Sequence, residues 1–454
     1  MKELDLTQGS VPKVLLQFAV PFLIANVLQA LYGGADLFVV GQYDDSASVA
    51  AVAIGSQVMQ TITGIILGIT TGTTVLIAIA TGAKDNRKVA FTIGSSVWLF
   101  SITGVVLTLV MVLFHSRIAE LMHTPVEAMV DTKNYILVCS LGILFIVGYN
   151  VVCGILRGLG DSKTPLYFVG LACVINIVLD FILVGYFHWG ATGAAIATVT
   201  AQGVRFRIAL WFLYRHGFHF DFSRKDIRLN RNLSKKILVL GAPIALQDAL
   251  INVSFLIITV IVNQMGVIAS ASLGVVEKII VFAMLPPMAI SSAVATMTAQ
   301  NYGAGLIKRM NKCLASGIGI ALVFGVSVCV YSQFLPETLT AFFTKDAAVV
   351  AMAADYLRGY SIDCIVVSFV FCINSYFSGQ GNSLFPMIHS LIATFLFRIP
   401  LSYWFSQIDS SSLFIMGFAP PISTVVSLLI CIWYLRYTQR KLYLRGTMMP
   451  AMSN

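Results

Sequence analysis

Four polar side chains stand out because they lie inside segments that are otherwise apolar. They are two carboxylic acids, one amide and one hydroxyl: Asp36, Asn176, Asp180 and Thr198. Oxygen atoms of these types are ligands for a small, hard cation such as Na⁺. Two neighbouring carboxylates also repel each other when both are ionised, which favours the binding of a proton by one of them. The residue types therefore predict a cation site and leave Na⁺ and H⁺ equally open.

The elements that must position these groups are membrane-spanning helices. Of the 454 residues, 58% are hydrophobic and 11% are charged, whereas soluble domains carry about 25% charged residues. Apolar stretches of about 20 residues, the length that crosses a bilayer, number about twelve. They lie at 14–40, 48–80, 90–114, 130–155, 166–187, 192–214, 237–262, 269–299, 313–334, 347–376, 386–406 and 413–435. The composition predicts an all-α polytopic membrane protein and excludes a water-soluble fold.

Landmarks in the sequence recur at a spacing of about 221 residues, which indicates an internal repeat. The recurring pairs are Gly158 to Pro165 with Gly379 to Pro386, Gly82-Ala83 with Gly303-Ala304, and Pro21 with Pro243. Because each copy holds an even number of spans, both copies enter the membrane from the same side and form parallel repeats. We predict two six-helix lobes, at 1–214 and 237–435, with a basic cytoplasmic linker at 215–236 and a cytoplasmic tail at 436–454.

The formal charge of +9 follows the predicted loops. Lysine and arginine concentrate in alternate loops and in both terminal segments, so the positive-inside rule places both termini in the cytoplasm. The charge is thus a topology signal, and we expect no nucleic-acid partner. The first span lacks a small-residue cleavage pattern and is predicted to stay in the protein. The eight cysteines show no CxxC spacing and predict neither a disulfide framework nor a metal site.

The repeat separates a functional from a structural reading of the four polar groups. A carboxylate in a membrane interior costs at least about 2.5–3.5 kcal/mol, so it needs a partner or a function. The structural alternative is that the acids only make satisfied hydrogen bonds. The spacing of 221 or 222 residues maps the four positions onto apolar residues: Ile258, Phe397, Leu401 and Ala419. Since the second copy keeps the architecture without the polar set, function is the simpler interpretation.

Several other residues are candidates for a substrate cavity. Asn26, Gln29 and Asp36 share one face of the first span by their spacing. The predicted lining consists of Asn26, Gln29, Tyr32, Gln57, Asp248 and Lys278, although tight helix packing explains the small and hydroxyl residues near Gln57 equally well. Pro21 removes a backbone hydrogen bond and is the predicted hinge of the first span. For Arg205 and Arg207 we predict that the side chains snorkel to the cytoplasmic interface.

At this point the residues resemble those of a known family, the multidrug and toxic compound extrusion (MATE) transporters of prokaryotes. The motifs are LRGLGDSKTP from Leu156, then Asn176 and Asp180, WGATGAAIAT from Trp189, and Pro21, Gln29 and Asp36 to Gly41 in the first span. The resemblance implies a V-shaped pair of six-helix lobes that exports cationic, amphipathic drugs in exchange for Na⁺ or H⁺. It also implies that Asp36, Asn176, Asp180 and Thr198 form the cation site of the first lobe, with Gln29 nearby and Pro21 as a bending point.

The resemblance has one departure and leaves one transport alternative. Some members carry acidic cation-site residues on the seventh and tenth spans, and Asp248 and Asp363 are out of step with that pattern, so this second site is not carried over. The alternative is a flippase for lipids or lipid-linked precursors, which should show several basic residues in its cavity.

Enzymes and primary pumps are disfavoured by missing motifs. Asp44-Asp45 is the one adjacent acidic pair and lacks the third acid of a DDxxD diphosphate site, and no phosphate-binding loop is present. We therefore expect a transporter and no enzyme, without cofactors other than the coupling ion. It should act as a monomer in the cytoplasmic membrane, with organic-cation drugs and membrane lipids as partners.

Overall fold

The chain is helical almost throughout. The computed structural model describes residues 4–408 and 412–447. Its helices are α1 (Val11–Tyr43), α2 (Ser46–Gly82), α3 (Asn86–Leu121), α4 (Met129–Leu141), α5 (Ile143–Leu159), α6 (Lys163–Asp180), α7 (Gly190–His216), α8 (Arg231–Asn263), α9 (Val267–Gly303), α10 (Ile307–Phe334), α11 (Pro336–Thr340), α12 (Ala347–Gly379), α13 (Leu384–Ile392), α14 (Ile399–Ile408) and α15 (Ala419–Thr447). The predicted all-α polytopic class is confirmed. Residues 448–454 of the predicted tail lie outside the described residues.

Most of these helices can cross a bilayer. In the described chain, ten helical segments are long and apolar enough, or eleven when α4 and α5, which meet at a bend of 47°, count as one span. Helix α7, the sixth predicted span, is not among them. It has 27 residues and is long enough at 1.5 Å per residue, but it is rich in glycine and alanine and carries Arg205 and Arg207. The predicted number of about twelve depends on counting α7 and the bent pair.

Contacts along the chain group the described residues into two compact units. The first unit runs to Ala249 and also takes in Ser292–Cys313 and Ser378–Ser383. The second unit holds Leu250–Ser291, Leu314–Phe377 and the described residues from Leu384 onward. The end of α9 therefore packs in the first unit, with helices that come from the first copy of the repeat.

The repeated glycine motifs mark the same turn in both copies. Gly160 follows α5 with a φ of 100°, and Gly381 follows α12 with a φ of 86°. Glycine adopts this left-handed conformation without the steric penalty of a Cβ, so it commonly ends a helix. In the first copy Asp161 then accepts hydrogen bonds from the backbone N–H groups of Lys163 and Thr164, both at 3.0 Å, which starts α6.

The other repeated glycines allow two helix ends to meet backbone to backbone. A Cβ on Gly82, the last residue of α2, would lie 1.8 Å from the carbonyl oxygen of Gln300. A Cβ on Gly303, the last residue of α9, would lie 1.9 Å from the carbonyl oxygen of Ile79. Each distance is far below van der Waals contact, so this crossing requires glycine on both helices.

The segment before α1 is held against this crossing. Leu6 is fully buried, and its carbonyl oxygen accepts a hydrogen bond from the Asn301 amide at 3.2 Å. The Arg309 guanidinium donates to the carbonyl oxygens of Leu6, at 3.4 Å, and of Gly9, at 2.6 Å, as well as to that of Gln8. This strap, residues 4–9, is therefore an ordered part of the first unit.

Replacing Arg309 by alanine should lower the stability of the first unit. Hydrogen bonds from a charged group contribute about 1.5–3 kcal/mol, and the variant loses all of those that Arg309 donates to the strap. We expect Arg309→Ala to lose about 1.5–3 kcal/mol of unfolding free energy, measured as a lower melting temperature of the purified protein. Lys308→Ala is the control, because Lys308 is exposed on the same helix; equal melting temperatures for the two variants would contradict the role of the strap.

Candidate functional site

Three helices of the first unit bring the four predicted site residues together. Helix α6 packs against both α1 and α7. Asp36 comes from α1, Asn176 and Asp180 from one face of α6, and Thr198 from α7. The Thr198 hydroxyl donates a hydrogen bond of 3.1 Å to Asp36 Oδ2, and Asn176 and Asp180 adjoin the same carboxylate. The predicted cluster therefore exists as a geometric unit.

The cluster is deeply buried and poorly satisfied. Asp36 is 4% exposed, and Asn176 and Asp180 are fully buried. Asp36 Oδ1, both carboxylate oxygens of Asp180 and both amide atoms of Asn176 have no hydrogen-bond partner. Most buried polar atoms in proteins do have one. Unmet carboxylate oxygens of this kind can be satisfied by a proton on one acid or by a coordinated monovalent cation.

Helix α6 changes its geometry immediately after Asp180. Residues Phe181–Tyr186 form a π-helical turn before α7 begins. Such turns are rare and often occur at functional sites, because the wider turn redirects side chains and frees backbone groups. The second copy also contains a π-helical turn, Ala393–Arg398, but it does not correspond to the first one at the repeat spacing. No sequence signal indicated either turn.

Two tyrosines complete the surroundings of Asp36. The Tyr32 hydroxyl is buried next to Asp36 and Thr198 without a hydrogen-bond partner of good geometry. Tyr135, which the sequence reading did not single out, is 1% exposed and also lies near Asp36. Its ring fills the space above Gly55, where a Cβ would come within 2.2 Å. The repeat contained the signal, because Tyr135 maps onto Tyr356.

The remaining cavity candidates have less defined surroundings. Gln29, Gln57, Asp248 and Lys278 are exposed, and Asn26 is half-buried. Neither Asp248 nor Lys278 forms an ion pair within the part of the chain that the structure describes. The predicted hinge, Pro21, is buried within α1, which continues through it as one helix.

The second unit contains a different polar cluster. Asp363 is 5% exposed, and its Oδ1 atom lacks a hydrogen-bond partner. Arg398, at the end of the second π-helical turn, lies within electrostatic range of Asp363 and stacks over the Phe255 ring at 4.3 Å. An acid and a base thus share this interior, whereas the four residues of the first cluster carry only acidic charges.

Two repeated sets of membrane-crossing helices, with unsatisfied carboxylates buried between three of them, are the architecture of an ion-coupled membrane transporter. The MatE family model matches this chain twice, at residues 21–182 and 243–404. The two matches begin at Pro21 and Pro243, the prolines that mark the internal repeat. The protein therefore belongs to the multidrug and toxic compound extrusion family, as its motifs predicted.

Curated relatives and solved structures agree with this assignment. The chain is 29% identical over 407 residues to "Probable multidrug resistance protein YpnP" of Bacillus subtilis, covering 89% of this chain and 91% of the relative. It is 27% identical over 402 residues to "Probable multidrug resistance protein NorM" of Thermotoga maritima, covering 86% and 85%. A solved outward-facing multidrug resistance MATE transporter has the same fold, with a TM-score of 0.90 at 23% identity and coverage of 97% and 98%.

Proposed function

We propose that this protein is a secondary active efflux transporter that exports amphipathic organic cations in exchange for Na⁺ or H⁺. Family membership and the names of the multidrug-resistance relatives support the export of drugs. The observation that carries ion coupling is the set of unpartnered, buried carboxylate oxygens on Asp36 and Asp180. The proposed location is the cytoplasmic membrane, with both termini in the cytoplasm and the transporter acting as a monomer.

The site can couple ion binding to a change of conformation. Asp36 and Asp180 bind the cation, and Asn176 and Thr198 contribute an amide and a hydroxyl that orient it. Without the cation, two ionised acids would face each other in an apolar interior, which is costly. A conformation that exposes the acids to water is then favoured, while the loaded site favours the buried arrangement. A ligand shifts such an equilibrium by its difference in affinity for the two states.

Drug binding is assigned to groups near this site. Gln29 and Gln57 are exposed on α1 and α2, and Asn26 and Tyr32 lie on α1 beside Asp36 in sequence. We propose that they line the substrate cavity, that Asp248 and Lys278 contribute charges to it, and that α1 bends at Pro21 during transport. Polar groups that accept several orientations suit a cavity that binds drugs of different shapes.

The direct test is efflux of a fluorescent organic cation from proteoliposomes. An inward Na⁺ gradient and an inward pH gradient are imposed separately on liposomes that are otherwise identical. We expect one gradient to accelerate efflux, which also names the coupling ion. If neither gradient moves any organic cation, the proposal is wrong, and the lipid or lipid-linked cargo of a flippase should be tested in the same liposomes.

A further inference from the structure

The first unit contains a buried arginine where the sequence predicted a snorkelling one. Arg205 on α7 is 6% exposed, so the snorkelling prediction is wrong for this residue. Arg207, two positions further on, is exposed, as predicted. The helix turns by about 100° per residue, and this rotation alone directs Arg205 into the unit and Arg207 away from it.

The contacts of Arg205 leave its charge largely uncompensated. Its guanidinium carbon lies 3.7 Å from the centre of the Tyr149 ring, and Nη2 donates a hydrogen bond to Gln202 Oε1. Its Nε atom is buried without a partner. Within the described chain, no carboxylate lies within 4.0 Å of the guanidinium. A buried cation without an ion pair normally has a charge partner at longer range.

That partner is the cation site. A small cavity between α1, α6 and α7 is lined by Gln29, Tyr32, Gln202 and Arg205, among others, and offers about 20 Å³ to a water-sized molecule. A water needs about 10–15 Å³ measured in this way. Tyr32 adjoins Asp36 and Thr198 at one side and lies within electrostatic range of Arg205 at the other. Arg205 and the two carboxylates therefore belong to one buried polar cluster.

The repeat provides an independent argument. The spacing of 221 or 222 residues maps Arg205 onto Val426 or Ser427, neither of which carries a charge. Asp36, Asn176, Asp180 and Thr198 are lost in the second copy in the same way. The arginine is thus specific to the copy that carries the acids, as expected if it serves them, and the shared helical architecture does not require it.

We propose that Arg205 is the fixed countercharge of the cation site and limits it to one monovalent cation. With both carboxylates ionised, the two acids and Arg205 carry a net charge of −1, which one Na⁺ or one H⁺ neutralises. A second cation would leave an uncompensated positive charge in the interior. Arg205 touches neither carboxylate and acts on the cation through the shared electrostatic field, so it is a positioning residue. This inference rests on the proposed function.

The test compares Arg205→Gln, Arg205→Lys and Arg207→Gln in the efflux assay, using the ion that drives the wild type. Loss of one nearby positive charge should lower the half-saturating cation concentration on the order of tenfold. It should also raise the number of cations exchanged per drug from one toward two. Arg205→Lys keeps the charge and should resemble the wild type, as should Arg207→Gln. An unchanged cation dependence in Arg205→Gln, or a lysine variant that behaves like the glutamine variant, would overturn the proposal.

A second measurement does not depend on transport. Melting temperatures of the wild type, Arg205→Gln, Asp180→Asn and the double variant form a double-mutant cycle. We expect Asp180→Asn to raise the melting temperature more in the Arg205→Gln background than in the wild type, because it restores the charge balance. Equal effects in both backgrounds would refute the countercharge. A wild type without gradient-driven efflux would refute the proposed function alone, since the cycle still decides the role of Arg205.

Discussion

Asp180→Asn is expected to abolish ion-driven drug efflux without lowering the stability of the protein. The amide has nearly the same shape as the carboxylate, but it cannot ionise and offers a cation only one neutral oxygen. A charge-assisted contact contributes about 1.5–3 kcal/mol, so cation binding should weaken by about 10- to 100-fold. Both carboxylate oxygens of Asp180 lack hydrogen-bond partners, so the variant loses no internal hydrogen bond. We expect Asp36→Asn to lose coupling in the same way.

Two readouts separate this prediction from a structural role of the acids. Efflux in proteoliposomes measures coupling, and the melting temperature in detergent measures stability. Glu127→Gln is a matched control, because it makes the same chemical change at an exposed position. If the acids only made structural hydrogen bonds, Asp180→Asn would lower the melting temperature and leave efflux near the control. That combination of results would remove Asp180 from the cation site.

Gly82→Ala and Gly303→Ala are expected to destabilise the first unit, although alanine is the better helix former. Within a helix, glycine is less favourable than alanine by about 0.5–1 kcal/mol, so an unconstrained site should gain stability. At these two positions the new Cβ would lie 1.8 and 1.9 Å from backbone carbonyl oxygens. Backbone atoms cannot move aside as a side chain end can, so the helices must separate. We expect a loss of at least about 3 kcal/mol, the upper part of the range for overpacking.

Gly274→Ala is the control for this sign reversal. Gly274 lies on α9, as does Gly303, and a Cβ there meets nothing within 4 Å. Its melting temperature should equal or slightly exceed that of the wild type, while both test variants melt lower. Maleimide labelling of Cys313, which is fully buried in the same unit, should rise only in the test variants. Equal melting temperatures for all three alanine variants would show that the close crossing does not exist.

The sequence alone determined the class of protein and the membership of the main site. Long apolar segments exclude a soluble fold, and the repeat spacing divides them into two copies. Asp36, Asn176, Asp180 and Thr198 could be selected because charged and polar groups are costly in an apolar span and because the second copy lacks them. Their assembly followed from the helical spacing of Asn176 and Asp180 and from the contacts of α1 and α7 with α6.

Only the tertiary structure decided which partners each helix face meets. Hydropathy treats a lipid-facing valine and a core valine alike, so it could not show that Arg205 turns inward or that Tyr135 lies beside Asp36. The π-helical turn after Asp180 depends on packing between helices and has no local signature. The repeated Gly82 and Gly303 were visible in the sequence, but the reason for them was not. Each glycine is required by the backbone of a helix more than 200 positions away, and such contacts are set by the fold as a whole.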